Sequence, residues 1–97
     1  MRRISWGSCH LECAEWVADV HYDILIDPIY NGHDLLCEDY GARIELLPES
    51  GSPEIVELHG ITPFMSVIRP FIDSLCRNGV TPATARDVLE DYLAILE

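Results

Sequence analysis

The chain has 97 residues, 48% hydrophobic and 24% charged, with a formal net charge of -11 and no lysine. That size and balance bound it to a single acidic domain, residues 1–97, and exclude a disordered acidic tail and a strongly basic nucleic-acid binder. No run of about 18 apolar residues marks a membrane helix.

Met1 to Trp6 carries two arginines with no apolar stretch behind them, and Glu12 brings the first acid. This excludes a signal peptide and makes the cytoplasm the expected compartment. In that compartment Cys9, Cys13, Cys37 and Cys76 are expected as free thiols. The segment from Ser8 to about Val20 reads as a helix, with Leu11, Ala14, Val17 and Ala18 on one side and Glu12, Glu15 and Asp19 on the other. Residues 20–27 either continue this helix or form a strand from Tyr22 to Asp27, with Tyr22, Ile24 and Ile26 on one face and Asp23 and Asp27 on the other. Pro28 to Gly32 reads as the loop that ends it.

Ala42 to Leu46 and Glu54 to His59 alternate apolar and polar residues around the turn-forming Pro48–Pro53 segment, so they are expected to form an antiparallel hairpin. Thr62-Pro63 signals a helix start, and Asn78-Gly79 a stop. Between them Phe64, Val67, Ile68, Phe71, Leu75 and Cys76 share a helical face, with a kink or a break expected at Pro70. Thr81-Pro82 opens a second helix with Ala85, Val88, Leu89, Tyr92 and Leu96 inward. Arg86, Asp87, Glu90 and Asp91 face water. The expected fold is α+β: an N-terminal helix, a three-stranded antiparallel sheet and a C-terminal αα-hairpin.

Charge placement is the strongest functional signal. Between Glu12 and Glu57 lie twelve acidic residues and one basic residue, Arg43. Glu12, Glu15, Asp19, Asp23 and Asp27 are spaced by three, four, four and four, the interval of one helical face. Rows of carboxylates about 6 Å apart along a helix resemble a phosphate repeat. The alternative is an ordinary solvated acidic face.

Other chemistry is weakly signalled. Cys9, Cys13 and His21 could meet a zinc ion, but the usual CxxC spacing is missing, and small apolar thiols are the simpler reading. His33-Asp34 and His59 lack the partners of a nucleophilic motif. No catalytic residue, metal or cofactor is expected. Trp6, Trp16, Tyr22, Tyr30 and Tyr40 are aromatic interface candidates, Trp16 foremost.

In length, acidity and α+β organisation the chain resembles the small phage-encoded inhibitors, in particular the DNA-mimicking anti-CRISPR proteins, and also bacterial immunity proteins that neutralise nuclease toxins. No motif carries this resemblance. It implies an inhibitor acting on a basic nucleic-acid-binding protein, a Cas complex or a nuclease, in the cytoplasm of a host cell. The expected partner-binding residues are Glu12, Glu15, Trp16, Asp19, Asp23 and Asp27, extended by Glu38, Asp39, Glu45, Glu54 and Glu57. Direct nucleic-acid or membrane binding is not expected, and both a monomer and a dimer are compatible with these features. A different class of reading is an adaptor or oligomerisation module that uses the apolar faces of the C-terminal helices.

Overall fold

The computed structural model describes residues 2–12 and 14–96. Strands β1 (Arg2–Glu12), β2 (Val17–Asn31), β3 (Asp34–Pro48) and β4 (Glu54–Thr62) are followed by helices α1 (Met65–Arg77) and α2 (Ala85–Leu96). The strands form one antiparallel sheet in the order β1-β2-β3-β4, each pairing with its neighbour in sequence. Both helices contribute to a core on one face of this sheet.

The expected N-terminal helix is absent, and the sheet has four strands, not three. Two features of the sequence account for this. A spacing of four is a multiple of the strand period of two, so Asp19, Asp23 and Asp27 share a strand face as readily as a helix face. A register shift between Ser5 and Gly7 changes the phase of β1. Ile4 pairs with Ile24, whereas Gly7, Cys9 and Leu11 pair with Tyr22, Val20 and Ala18. The inward positions therefore pass from even to odd numbers, which breaks the alternation that would have revealed a strand.

Strand β2 organises the core. Val20, Tyr22, Ile24 and Ile26 are at most 3% exposed, and they lie with Ala42, Ile44 and Leu58 beneath Ile68, Phe71, Ile72 and Leu75 of α1. The expected strand from Tyr22 to Asp27 is thus part of a longer one that continues through Pro28. The expected hairpin forms, with Arg43 opposite Glu57 and Ala42 opposite Leu58. The backbone N–H of Glu49 donates to the Val17 carbonyl at 2.9 Å, tying its turn to the start of β2.

Helix α1 starts after the Thr62-Pro63 signal and runs unbroken through Pro70. The N–H of Val80 donates to the Leu75 carbonyl at 3.0 Å and that of Gly79 to the Cys76 carbonyl at 3.3 Å. With Gly79 at φ 60° this is a Schellman ending. The buried Tyr22 hydroxyl donates to the Val80 carbonyl at 2.8 Å, fastening the ending to the sheet. Burial pushes the pKa of that hydroxyl well up. A turn over residues 81–84 leads into α2, where Ala85 is buried and Val88, Leu89 and Tyr92 pack against the core. The Phe71 and Tyr92 rings lie 4.8 Å apart. Arg86, Asp87, Glu90 and Asp91 are exposed as expected, while the side chain of Leu96 lies outside the described set. Among the described residues no helix is long and apolar enough to cross a membrane.

Gly41 fills a site that admits no side chain. A Cβ there would lie 2.2 Å from the Leu58 carbonyl oxygen, a backbone atom that moves only with its strand. Gly41→Ala is therefore expected to cost about 3 kcal/mol, the upper range for overpacking. Thermal unfolding would show this as a fall in Tm of about 15 °C.

Candidate partner-binding surface

The outer sheet face, opposite the helices, gathers most of the expected acids, and register pairs them with cations. Asp23, Arg43 and Glu57 lie side by side on β2, β3 and β4. The Arg43 side chain, 13% exposed, reaches Asp23 at 3.7 Å, Glu45 at 3.5 Å and Glu57 at 3.4 Å. Arg3 adds a longer contact to Asp23 at 3.8 Å. The one basic residue in the acidic run thus sits where three strands bring carboxylates together, an arrangement of opposite cross-strand charges that stabilises the sheet.

Two histidines extend the pattern. His10 Nδ1 lies 2.7 Å from Asp19 and its Nε2 3.1 Å from Glu12. His59 Nδ1 lies 2.9 Å from Asp27 and its Nε2 3.3 Å from Glu57. Hydrogen bonding to Asp19 first, and then to Glu12, raises the His10 pKa above 6.5. For His59 the Asp27 hydrogen bond dominates and also raises it, against a smaller opposing effect of burial. Leu25 lies on this same face between Arg3 and Gly41, and it is fully buried.

Asp19, Asp23 and Asp27 do form a stripe, but on a strand. Their separation is about 13 Å per step at the strand rise, roughly twice the helical value. Each member meets a cation or a histidine of its own. Glu12 and Asp19, expected on a helix, lie on β1 and β2, while Glu15 belongs to the connection between them. Glu38 pairs with Arg2.

Among the described residues, Glu15, Asp34, Asp39, Glu49 and Glu54, and Asp87, Glu90 and Asp91 on α2, have no basic side chain within ion-pair distance. Three of these collect at one end of the molecule. Glu15 and Glu49 line an open depression with Trp16, and Glu54 borders a second depression shared by Trp16, Ala18, Leu46 and Thr81. Trp16 is 44% exposed in the connection between β1 and β2. The structure thus brings Glu15, Trp16 and Glu54 together, adds Glu49, and sets Asp39 at the far end.

Tyr22 belongs to the core and not to an interface, and Trp6 and Tyr40 are partly buried against it. Tyr30 is 58% exposed. Sequence reasoning missed its neighbours Ile29, Leu35 and Leu36, all exposed. Asn-Gly at 31–32 flanked by apolar pairs was the available hairpin signal. Cys9 packs toward the core while His21 is exposed on the other face, so the two do not converge. Cys13 lies outside the described residues. Cys9, Cys37 and Cys76 are free thiols, and burial raises the Cys76 pKa. Among the described residues no cluster of three or more potential metal ligands occurs.

A family model described as a family of unknown function (DUF6514) matches residues 10–95, and the chain belongs to that family. No curated protein and no solved structure matches the chain.

The histidine bridges make stability depend on pH in a defined direction. A folded-state pKa above the unfolded value of 6.5 contributes stability that is complete below that value. The contribution is lost as pH rises through the raised folded pKa values. Urea midpoints are therefore expected to fall between about pH 6 and pH 8, and His10→Asn/His59→Asn should flatten that slope.

Proposed function

We propose that this member of the DUF6514 family is a small non-enzymatic inhibitor that binds a basic, nucleic-acid-binding protein through an acidic surface centred on Trp16. The observation that carries this reading is the segregation of charge. Carboxylates in the middle of the sheet are answered by Arg3, Arg43, His10 and His59, whereas Glu15, Glu49 and Glu54 around Trp16 are free of such partners among the described residues. Uncompensated acids around a half-exposed tryptophan offer an aromatic anchor within a field that attracts lysine and arginine.

Two of the four histidines are held away from acid–base work. Both ring nitrogens of His10 and of His59 are engaged by carboxylates, which leaves neither ring a nitrogen for a substrate proton. The apolar face of α1 is consumed by the core, with Ile68, Phe71, Ile72 and Leu75 at most 1% exposed. An adaptor that docks through that helix face would have to open the domain. A nuclease or a CRISPR-Cas surveillance complex is a partner of the required chemistry, since each presents a basic channel to phosphates.

Affinity capture from the native cell, eluted by a salt gradient, tests the reading. The expected partner leaves at moderate salt, is displaced by added DNA or RNA, and is not retained by Trp16→Ala or by Glu15→Lys/Glu49→Lys/Glu54→Lys. Capture that survives both variants and ignores salt and nucleic acid would refute it.

A further inference from the structure

Strands β2 and β3 run on past the rest of the sheet. The last β1 partner at this end is Arg2, opposite Ile26, and the last β4 partner is Thr62, opposite Tyr40. Among the described residues, 27–31 and 34–39 therefore pair only with each other, around the turn Gly32-His33. This two-stranded arm helps give the molecule its 51 Å long dimension against 28 and 17 Å in the others. The 13 residues of α1 span about 20 Å, so the helix cannot cover a 15-residue strand of about 50 Å.

The arm is apolar where it is uncovered. Tyr30 pairs with Leu35 and continues the core row of Val20, Tyr22, Ile24 and Ile26 beyond the helix. These two are 58% and 57% exposed, and Leu36, at the register shift beside them, is 63% exposed. On the opposite face Ile29 pairs with Cys37, and both are exposed. A ribbon of two strands is marginal in water by itself, and here both of its faces expose apolar side chains to solvent.

Its charge states what kind of surface can cover it. The arm holds Asp27, Asp34, Glu38 and Asp39, and no lysine or arginine occurs from residue 4 to residue 42. Asp27 and Asp39 are direct cross-strand partners, a like-charge opposition that destabilises a ribbon. His59 answers Asp27 and Arg2 answers Glu38. Asp34 and Asp39 have no cation among the described residues. A second copy would bring the same carboxylates against one another, and each copy carries a net charge of -11. An extended segment laid along the edge of the arm, with apolar side chains on the Tyr30 face and lysines or arginines on the opposite face, would cover Tyr30, Leu35 and Leu36 on one side and relieve the Asp27–Asp39 opposition on the other.

We infer that the β2–β3 arm is a second docking element, built to receive a basic amphipathic segment of a protein partner. It lies at the opposite end of the sheet from Trp16 and does not depend on the reading given to that end.

The test uses the full chain and a defined probe, a synthetic peptide of about ten residues alternating lysine and leucine, with lysine–serine and glutamate–leucine counterparts. Backbone amide NMR shifts locate the contact, and sedimentation measures self-association. The expected result is that the lysine–leucine peptide shifts resonances of residues 27–39. Affinity should fall about tenfold in Leu35→Ser/Leu36→Ser. It should fall several-fold in Asp39→Asn and stay unchanged in Trp16→Ala. Leu35 and Leu36 are exposed and Asp39 is half-buried, and none of the three belongs to the core, so the variants retain it. Equal binding of the lysine–serine peptide, shifts centred on Trp16 or on the outer sheet face, or no binding would overturn the inference. A dimer abolished by Leu35→Ser/Leu36→Ser would overturn it too, by making a second copy the occupant. Binding at the arm, alongside capture insensitive to Trp16→Ala, would instead unseat only the function proposed above.

Discussion

Burial of alternate residues along β2 beneath helix α1 is the interaction on which the remaining structure depends. Val20, Tyr22, Ile24 and Ile26 meet Ile68, Phe71, Ile72 and Leu75, with no member of either row more than 3% exposed. Because the strand period is two, placing these residues inward sends Asp19, Asp23 and Asp27 outward without further choice. The neighbouring strands inherit the same division through register. Arg43 must then lie between Asp23 and Glu57, and His10 opposite Asp19. The charge pairing of the outer face is thus a consequence of core packing on the inner one.

Tyr22 joins these levels most directly. Its ring is part of the buried row, and its hydroxyl holds the carbonyl of Val80 just beyond the Schellman turn. One side chain therefore sets the depth at which the sheet meets the end of α1, and with it the point from which the chain returns toward α2. The phase change in β1 belongs to the same region. It places Gly7 opposite Tyr22, and a Cβ on Gly7 would lie 3.2 Å from the Cys76 sulfur at the end of α1.

The C-terminal half was legible because its signals are local. Proline two or three residues ahead of each helix, Asn78-Gly79 at a stop and a proline-bracketed turn each act within a few residues, and both helices and the β3–β4 hairpin follow them. The caps are not the expected threonines: Phe64 precedes α1, and α2 begins only at Ala85. The N-terminal half is not legible in the same way because its determinants are not local. A stripe with a period of four is compatible with helix and strand alike, and the phase change in β1 removed the alternation that would have decided between them. Pro28 reads as the end of a strand, although among the described residues β2 has no outer partner there, and on an open edge a missing N–H costs no ladder hydrogen bond. The same limit applied to the site. Acidity was visible in composition, but which carboxylates are neutralised depends on cross-strand neighbours far apart in sequence. Glu49 joins Trp16 only because its turn closes onto Val17.

The exposed ribbon also sets a condition on how the protein can be kept in solution. Tyr30, Leu35 and Leu36 form the kind of surface through which chains coalesce, and the surrounding carboxylates act as its gatekeepers. Their protection is electrostatic, so it weakens as the net charge of the chain falls toward zero at the isoelectric point near 4.5. Histidine protonation on the sheet face begins earlier on the same path and removes net negative charge while it tightens the fold. Mild acidification therefore pushes the molecule in two directions at once, toward a firmer domain and toward a stickier one.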